Sequence, residues 1–263
     1  GREKIINEEK YKSGFYLVLE GVDFAGKSTV AKELVSRLQN IYGADTVIHK
    51  REPSNTNYGK KMRDTLFSKE MTLEKEVLAA QYMLLDRVEN TSEVSQLLRE
   101  NKIIVQERNF LTALVYNEAK DTKEVQFVQE ANRLSLKPDC LALLTISDEM
   151  LLYRLEKAKE ERDSLDSYET YEKVIKRKRD YLSFDEYIDV LLPNNNKECF
   201  EVSMNTLIKI VAENFRSMMK LKVVIQTLDD KQGYIVTCED GREFIVRDID
   251  EAIELKEKLQ NEN

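Results

Sequence analysis

The stretch Phe15-Tyr16-Leu17-Val18-Leu19-Glu20-Gly21-Val22-Asp23-Phe24-Ala25-Gly26-Lys27-Ser28 changes character midway, and that change decides the fold. Residues 15–19 form a continuous apolar run, the pattern of a strand buried on both faces of a parallel sheet. Gly21 to Ser28 then satisfies GxxxxGK[ST], a spacing that a chain of this length meets by chance on the order of one time in a hundred. From Lys27 onward Val30, Leu34, Leu38 and Ile41 recur at helical spacing, and Gly43 is placed to end the helix. A surface turn rich in Gly and Ser would lack this strand before it and this helix after it. The order strand, glycine-bearing loop, helix lets backbone N–H groups and a helix N-terminus converge on phosphate oxygens. In such a loop Lys27 reaches the β and γ phosphates, and Ser28 holds Mg²⁺.

Working outward, residues 46–49, 103–106, 141–146 and 198–202 are further short runs that fit strands, separated by amphipathic segments such as 74–99. Ser147 or Asp148 would cap a helix carrying Leu151, Leu152, Leu155 and Ala158. Residues 157–168 hold many charges and few apolar side chains, and are expected to stand off the core as a flap. Residues 205–221 read as the last helix of this part. Alternating strand-like runs then follow at 223–228, 234–238 and 243–246, and Ile249, Ile253, Leu255 and Leu259 suggest a closing helix. The expected fold class is α/β: a P-loop NTPase-type three-layer fold with a five-stranded, mainly parallel sheet, plus a small C-terminal β-rich appendage ending in a helix. The boundaries expected are a polar leader at 1–13, the α/β domain at 14–220 with a lid at about 155–170, and the appendage at 221–263.

Composition narrows the chemistry. The chain has 263 residues, 41% hydrophobic, which suffices for a full core, and no apolar run reaches the roughly 18 to 20 residues of a membrane helix. A soluble, cytoplasmic protein without a membrane partner is expected. Three cysteines without a CxxC pair argue against a disulfide framework or a zinc site. His49 is the single histidine, which removes Ser-His-Asp and Cys-His catalysis and leaves carboxylates, Lys, Arg or an oxygen-bound metal. A net charge of −8 argues against polymeric nucleic acid as a partner. Residues 221–263 carry 11 acidic and 6 basic side chains, so most of that charge lies in the appendage, for which a role in oligomer contacts or stability is expected.

Five ordered segments resemble the thymidylate kinase family of nucleoside monophosphate kinases, over about residues 15 to 215. Leu19 to Thr29 is similar to the family's LEGxDGAGKST, and Arg51-Glu52-Pro53 with Gly59 and Arg63 to its REP stretch. Leu84-Leu85-Asp86-Arg87 resembles ADR, and Glu107-Arg108-Asn109 followed by Thr112 to Asn117 resembles DRY and the segment after it. Lys137-Pro138-Asp139, a strand, and then Arg154 complete the set. The resemblance implies ATP-dependent phosphorylation of a deoxynucleoside monophosphate, most simply dTMP to dTDP, with Mg²⁺, by a homodimer. It further implies ATP contacts from Gly21, Asp23, Phe24, Ala25, Gly26, Lys27, Ser28, Thr29 and Arg154. Acceptor contacts would come from Asp23, Arg51, Glu52, Arg63, Met83, Arg87, Arg108, Thr112, Tyr116 and Asn117. Ser28 and Glu107 would hold the metal, and Lys27, Arg108, Glu107 and the lid's Arg162 would be catalytic.

Three departures from the family pattern stand out. Glu107 replaces an aspartate and is one methylene longer. Met83, beside Tyr82, occupies the place of the aromatic that stacks on thymine. Phe24 stands where some members carry a loop arginine, so a lid cation, Arg162, Lys157 or Lys159, would supply that charge. Two other readings follow from these features. A deoxynucleoside kinase would use Glu52 as a base on a 5′-hydroxyl, and a nucleotide-binding module without turnover would have the acidic appendage as its working surface.

Overall fold

The computed structural model describes residues 14–68, 70–117, 123–161, 170–215, 222–229 and 233–261. The leader expected at 1–13, residues 162–168 of the flap, and Arg162 lie outside the described residues. The chain divides into two compact units, Gly1–Phe215 and Arg216–Asn263.

In the first unit the strands are β1 (Phe15–Glu20), β2 (Val47–Arg51), β3 (Ile103–Glu107), β4 (Cys140–Thr145) and β5 (Val190–Pro193), in the sheet order β2-β3-β1-β4-β5. Every pairing is parallel. β1 and β3 are buried along their whole length, as their unbroken apolar runs require, whereas edge strand β2 alternates between buried and exposed positions. The helices are α1 (Lys27–Tyr42), α2 (Asn57–Leu66), α3 (Leu73–Arg99), α4 (Phe110–Asn117), α5 (Lys123–Arg133), α6 (Asp148–Glu161), α7 (Tyr171–Ser183) and α8 (Lys197–Asn214). Leu17, Leu19, Leu34, Leu38, Leu141 and Leu207 belong to the main core. Burying each such side chain contributes about 1.5–3 kcal/mol. β1 and β3 are neighbours whose connections leave in opposite directions, to β2 and to β4, so a crevice opens beyond their carboxyl ends.

Three expectations are corrected. The fifth strand is 190–193, not 198–202, which form the first turns of α8. Asn196 caps that helix, its side chain accepting from the Cys199 N–H at 2.8 Å. The buried residues Ser203, Met204, Leu207 and Val211 recur at helical spacing while Val202 is exposed, so the apolar run is split between two faces of a helix. The helix expected at 205–221 accordingly begins earlier and ends at Asn214. Residues 157–161 also belong to α6 rather than to a detached flap.

The second unit is an antiparallel sheet of β6 (Val223–Thr227), β7 (Tyr234–Cys238) and β8 (Glu243–Val246), followed by α9 (Ile249–Gln260). Val223, Val236, Cys238, Ala252 and Leu259 form its own core. Gly241, with φ of +93°, makes the turn into β8, and the Asp248 side chain caps α9 by accepting from Asp250 N–H.

Candidate active site

The loop between β1 and α1 wraps an open cavity of about 680 Å³ lined by Gly26, Lys27, Ser28, Thr29, Arg51 and Arg154 among others. Gly21 and Gly26 have φ of +146° and +88°, and a Cβ on Gly21 would lie 2.7 Å from the Leu144 carbonyl oxygen. Asn194, past the end of β5, donates to the Ala25 carbonyl at 2.7 Å, and Arg154 of α6 donates to the carbonyls of Phe24 (2.7 Å) and Asn194 (2.8 Å). The loop is thus held from outside by two side chains distant in sequence. Lys27 Nζ donates to the carbonyls of Gly21 (2.6 Å) and Val22 (2.9 Å). Burial first, then repulsion from Arg108, pushes its pKa down to about 7 against the pull of Asp23, Glu20 and Glu107. Ser28 and Thr29 are open to solvent.

Beside Ser28 stands a carboxylate. Parallel pairing of β2 with β3 sets Arg51 opposite Glu107 and His49 opposite Val105, so all four share the strand-end region. Ser28 Oγ donates to Glu107 Oε1 at 2.6 Å, and His49 Nε2 lies 2.6 Å from Oε2. Burial alone would raise the Glu107 pKa, but the hydrogen bonds from His49 and Ser28 and the charge of Arg51 outweigh it and hold the carboxyl below its ordinary value. Among the described residues no group of three or more His, Cys, Asp or Glu side chains forms a metal cage. A hydroxyl and one carboxylate fit Mg²⁺, which takes oxygen ligands, commonly one or two from protein with the rest from water and phosphates.

Next to the loop lies a second, largely apolar cavity of about 330 Å³, with Met62, Met71, Met83, Ala79 and Ala80 on one wall and Arg108, Thr112, Tyr116 and Asn117 on the other. Arg108, with φ of +66°, forms an ion pair with Asp23. Burial would lower its pKa, but Tyr181, Tyr116, Asp23 and Glu20 raise it, so it stays charged. Buried Glu20 accepts from the N–H groups of Asn109 (2.7 Å) and Thr112 (3.2 Å), fixing the start of α4. The Arg177 guanidinium of α7 sits 4.3 Å from the centre of the Tyr116 ring and also lines the cavity. Asp23 and Arg108 line both cavities.

Three residues expected at the acceptor are engaged within the protein. Arg87 is 3% exposed and donates from Nε to Glu52 Oε2 at 3.0 Å and from Nη1 to Asn132. Burial raises the Glu52 pKa and Arg87 opposes it. Arg63 donates to the Pro53 carbonyl. None of the three lines either cavity, and beside Arg87 the Asp86 carboxylate accepts from Ser54 and Thr56. Lys157 and Lys159 are exposed on α6 and line neither cavity.

Sequence reasoning missed Asn194, Arg177 and the pairing of His49 with Glu107. The period of two in β2 offered a signal for His49, since it shares a face with Arg51. Nothing in spacing could link Asn194 to a loop 169 residues away.

Known proteins carry the same pattern. A family model described as thymidylate kinase matches residues 19–204. The probable thymidylate kinase of Methanococcus aeolicus is 30% identical over 80% of this chain and 98% of its own length, and that of Thermococcus kodakarensis is 30% identical over 74% and 96%. The crystal structure of thymidylate kinase from Ehrlichia chaffeensis shares the fold, with a TM-score of 0.55 at 17% identity over 76% of this chain and 99% of that one. With a phosphate loop, an adjoining cavity joined to it through Asp23 and Arg108, and a family match spanning more than half its length, the chain belongs to the thymidylate kinase family.

Proposed function

We propose that the protein transfers the γ-phosphoryl group of ATP to dTMP, giving dTDP and ADP. The observation that carries this reading is the junction of the two cavities at Asp23 and Arg108: a polar, loop-lined chamber suits a triphosphate, an apolar one suits a nucleobase, and the shared cation suits the phosphate between them. In this reading the loop amides and Lys27 cradle the donor phosphates, and Arg154 borders the adenine. Arg108, with Arg51, clamps the acceptor phosphate with forked hydrogen bonds. Asp23 takes the acceptor sugar, Tyr116 packs beneath it, and Thr112 and Asn117 close that end. Met83 forms the wall against the base, while Glu52, Arg63 and Arg87 keep that wall in place. Arg177 adds a second cation at the acceptor. Ser28 and Glu107 would hold Mg²⁺, which when bound spreads the negative charge of the phosphates. The acceptor oxygen is already ionised near neutral pH, so no side chain need remove a proton. Glu52, engaged with Arg87 and absent from both cavity walls, counts against a 5′-hydroxyl acceptor. Arg162 remains the proposed source of a lid cation.

The homodimer and cytoplasmic setting expected of the family belong to this proposal too. Exposed Leu78, Leu85 and Val88 along α3 offer an apolar stripe for a second copy. Among the described residues no helix is long and apolar enough to cross a membrane. The test is ADP release with Mg-ATP and dTMP, dUMP, dCMP, dGMP or thymidine as acceptor, with Lys27→Ala as blank. Turnover led by dTMP is expected; turnover with thymidine alone, or none with any acceptor, would overturn the assignment.

A further inference from the structure

His49 does no work in the mechanism above, yet it is the only histidine in the chain and its ring meets the carboxylate beside the phosphate loop. Glu107 has three side-chain torsions, one more than aspartate, so its carboxylate can sweep a wider arc. Fixing such a group takes a partner on each oxygen. Here each oxygen has one: Ser28 Oγ on Oε1 and His49 Nε2 on Oε2, both at 2.6 Å. A carboxylate accepts, so Nε2 carries the proton in this contact. The Glu107 side chain is 6% exposed, whereas the His49 side chain is 37% exposed and comes from edge strand β2. The ring therefore braces the carboxylate from the open side of the sheet, while the serine holds it from the loop side. The nearby charged and titratable groups are Arg51, which acts on Glu107, and Lys32 and Lys50, which line the same hollow; Lys50 is itself paired with Glu93.

We propose that His49 is a positioning residue for the divalent cation: by donating from Nε2 to Glu107 Oε2 it fixes the longer carboxylate, so that Oε1 stays with Ser28 where the metal-nucleotide complex docks. The inference rests on the reading that Ser28 and Glu107 hold the cation. It concerns geometry, and it does not require His49 to change its charge.

The test measures Mn²⁺ binding to the full-length protein with ADP by electron paramagnetic resonance, alongside nucleotide binding without metal. Removing an outer partner of a metal ligand commonly weakens the metal by about 10- to 100-fold. His49→Ala is therefore expected to weaken Mn²⁺ about tenfold while metal-free ADP binding stays within twofold. His49→Gln, whose amide can donate from a similar position, should recover most of the loss. Joined to Glu107→Gln, His49→Ala should add nothing further, since both remove one unit. A readout independent of metal comes from nitrogen-15 NMR of the single imidazole, which should show a protonated Nε2 that shifts in Glu107→Gln. If His49→Ala and His49→Gln bind Mn²⁺ within twofold of the parent while Ser28→Ala and Glu107→Gln lose it, the positioning role is wrong and the metal site stands. If Ser28→Ala and Glu107→Gln also bind normally, the site reading fails and the proposal with it.

Discussion

Met83 is 9% exposed and forms part of the cavity wall with Met62 and Met71. Thioether side chains adapt to many shapes, and apolar walls discriminate weakly between bases that differ by one methyl, about 1–3 kcal/mol at most. Met83→Phe adds a flat face, and an aromatic contact is worth about 0.5–1.5 kcal/mol, so KM for dTMP is expected to fall about two- to tenfold with little change in kcat. Steady-state kinetics with dTMP and dUMP would show it. Arg177 makes the opposite case. Its guanidinium lies over the Tyr116 ring and lines the apolar cavity proposed for the acceptor, so Arg177→Ala should raise KM for dTMP about tenfold while leaving KM for ATP within twofold. Cys140 adds a pH dependence. Burial first, then Asp189 and Asp139, pushes its thiol up to about 12. Unfolded, the thiol ionises near pH 8.5. Between these values the unfolded chain loses a proton that the folded chain keeps, so this thiol's contribution to stability is intact below about pH 8.5 and is lost as pH rises towards 12. In the native protein iodoacetamide should label half-buried Cys199 and spare Cys140 and Cys238, as peptide mass mapping would record.

Among the elements, β1, β3, β4 and α1 were legible because each answers to one local rule: a run buried on both sides, or one period of 3.6. β5 was not, since Val190 to Pro193 is four residues long and only Leu192 is buried, which leaves too little pattern to read. The residues that misled, 198–202, are apolar enough for a strand, and what overrides them is the cap at Asn196 and a core face that repeats every three or four residues. Asn196→Ala is expected to cost about 1 kcal/mol in urea unfolding of the first unit, the usual loss for an uncapped helix. The site divides along the same line. The loop, Glu107, Arg108 and Tyr116 follow from motifs, whereas the retreat of Arg87 onto Glu52 depends on Asn90 one turn along the same helix meeting Asn132 of α5 and Gln106 of β3, and no local spacing encodes the arrival of those last two.

At the scale of the whole molecule, every residue lining the three cavities lies at or before Phe200, within the first unit. A chain ending at Phe215 is therefore expected to keep kcat/KM for dTMP within about twofold, measured beside the full chain. Its mass in solution and its melting temperature test the role in assembly or stability expected of residues 216–263. Among the described residues the sheet that carries the site also ends in two edge strands, β2 on one side and β5 on the other. Open strand edges invite other chains to add on, and proteins blunt them with charge, shortness or proline. β5 is short and closes on Pro193; β2 carries His49, Lys50 and Arg51 in succession. In the proposed function the strand that brings Arg51 to the phosphates and His49 to Glu107 is thus also a charged sheet edge, and replacing these residues with β-branched apolar ones is expected to lower solubility along with turnover.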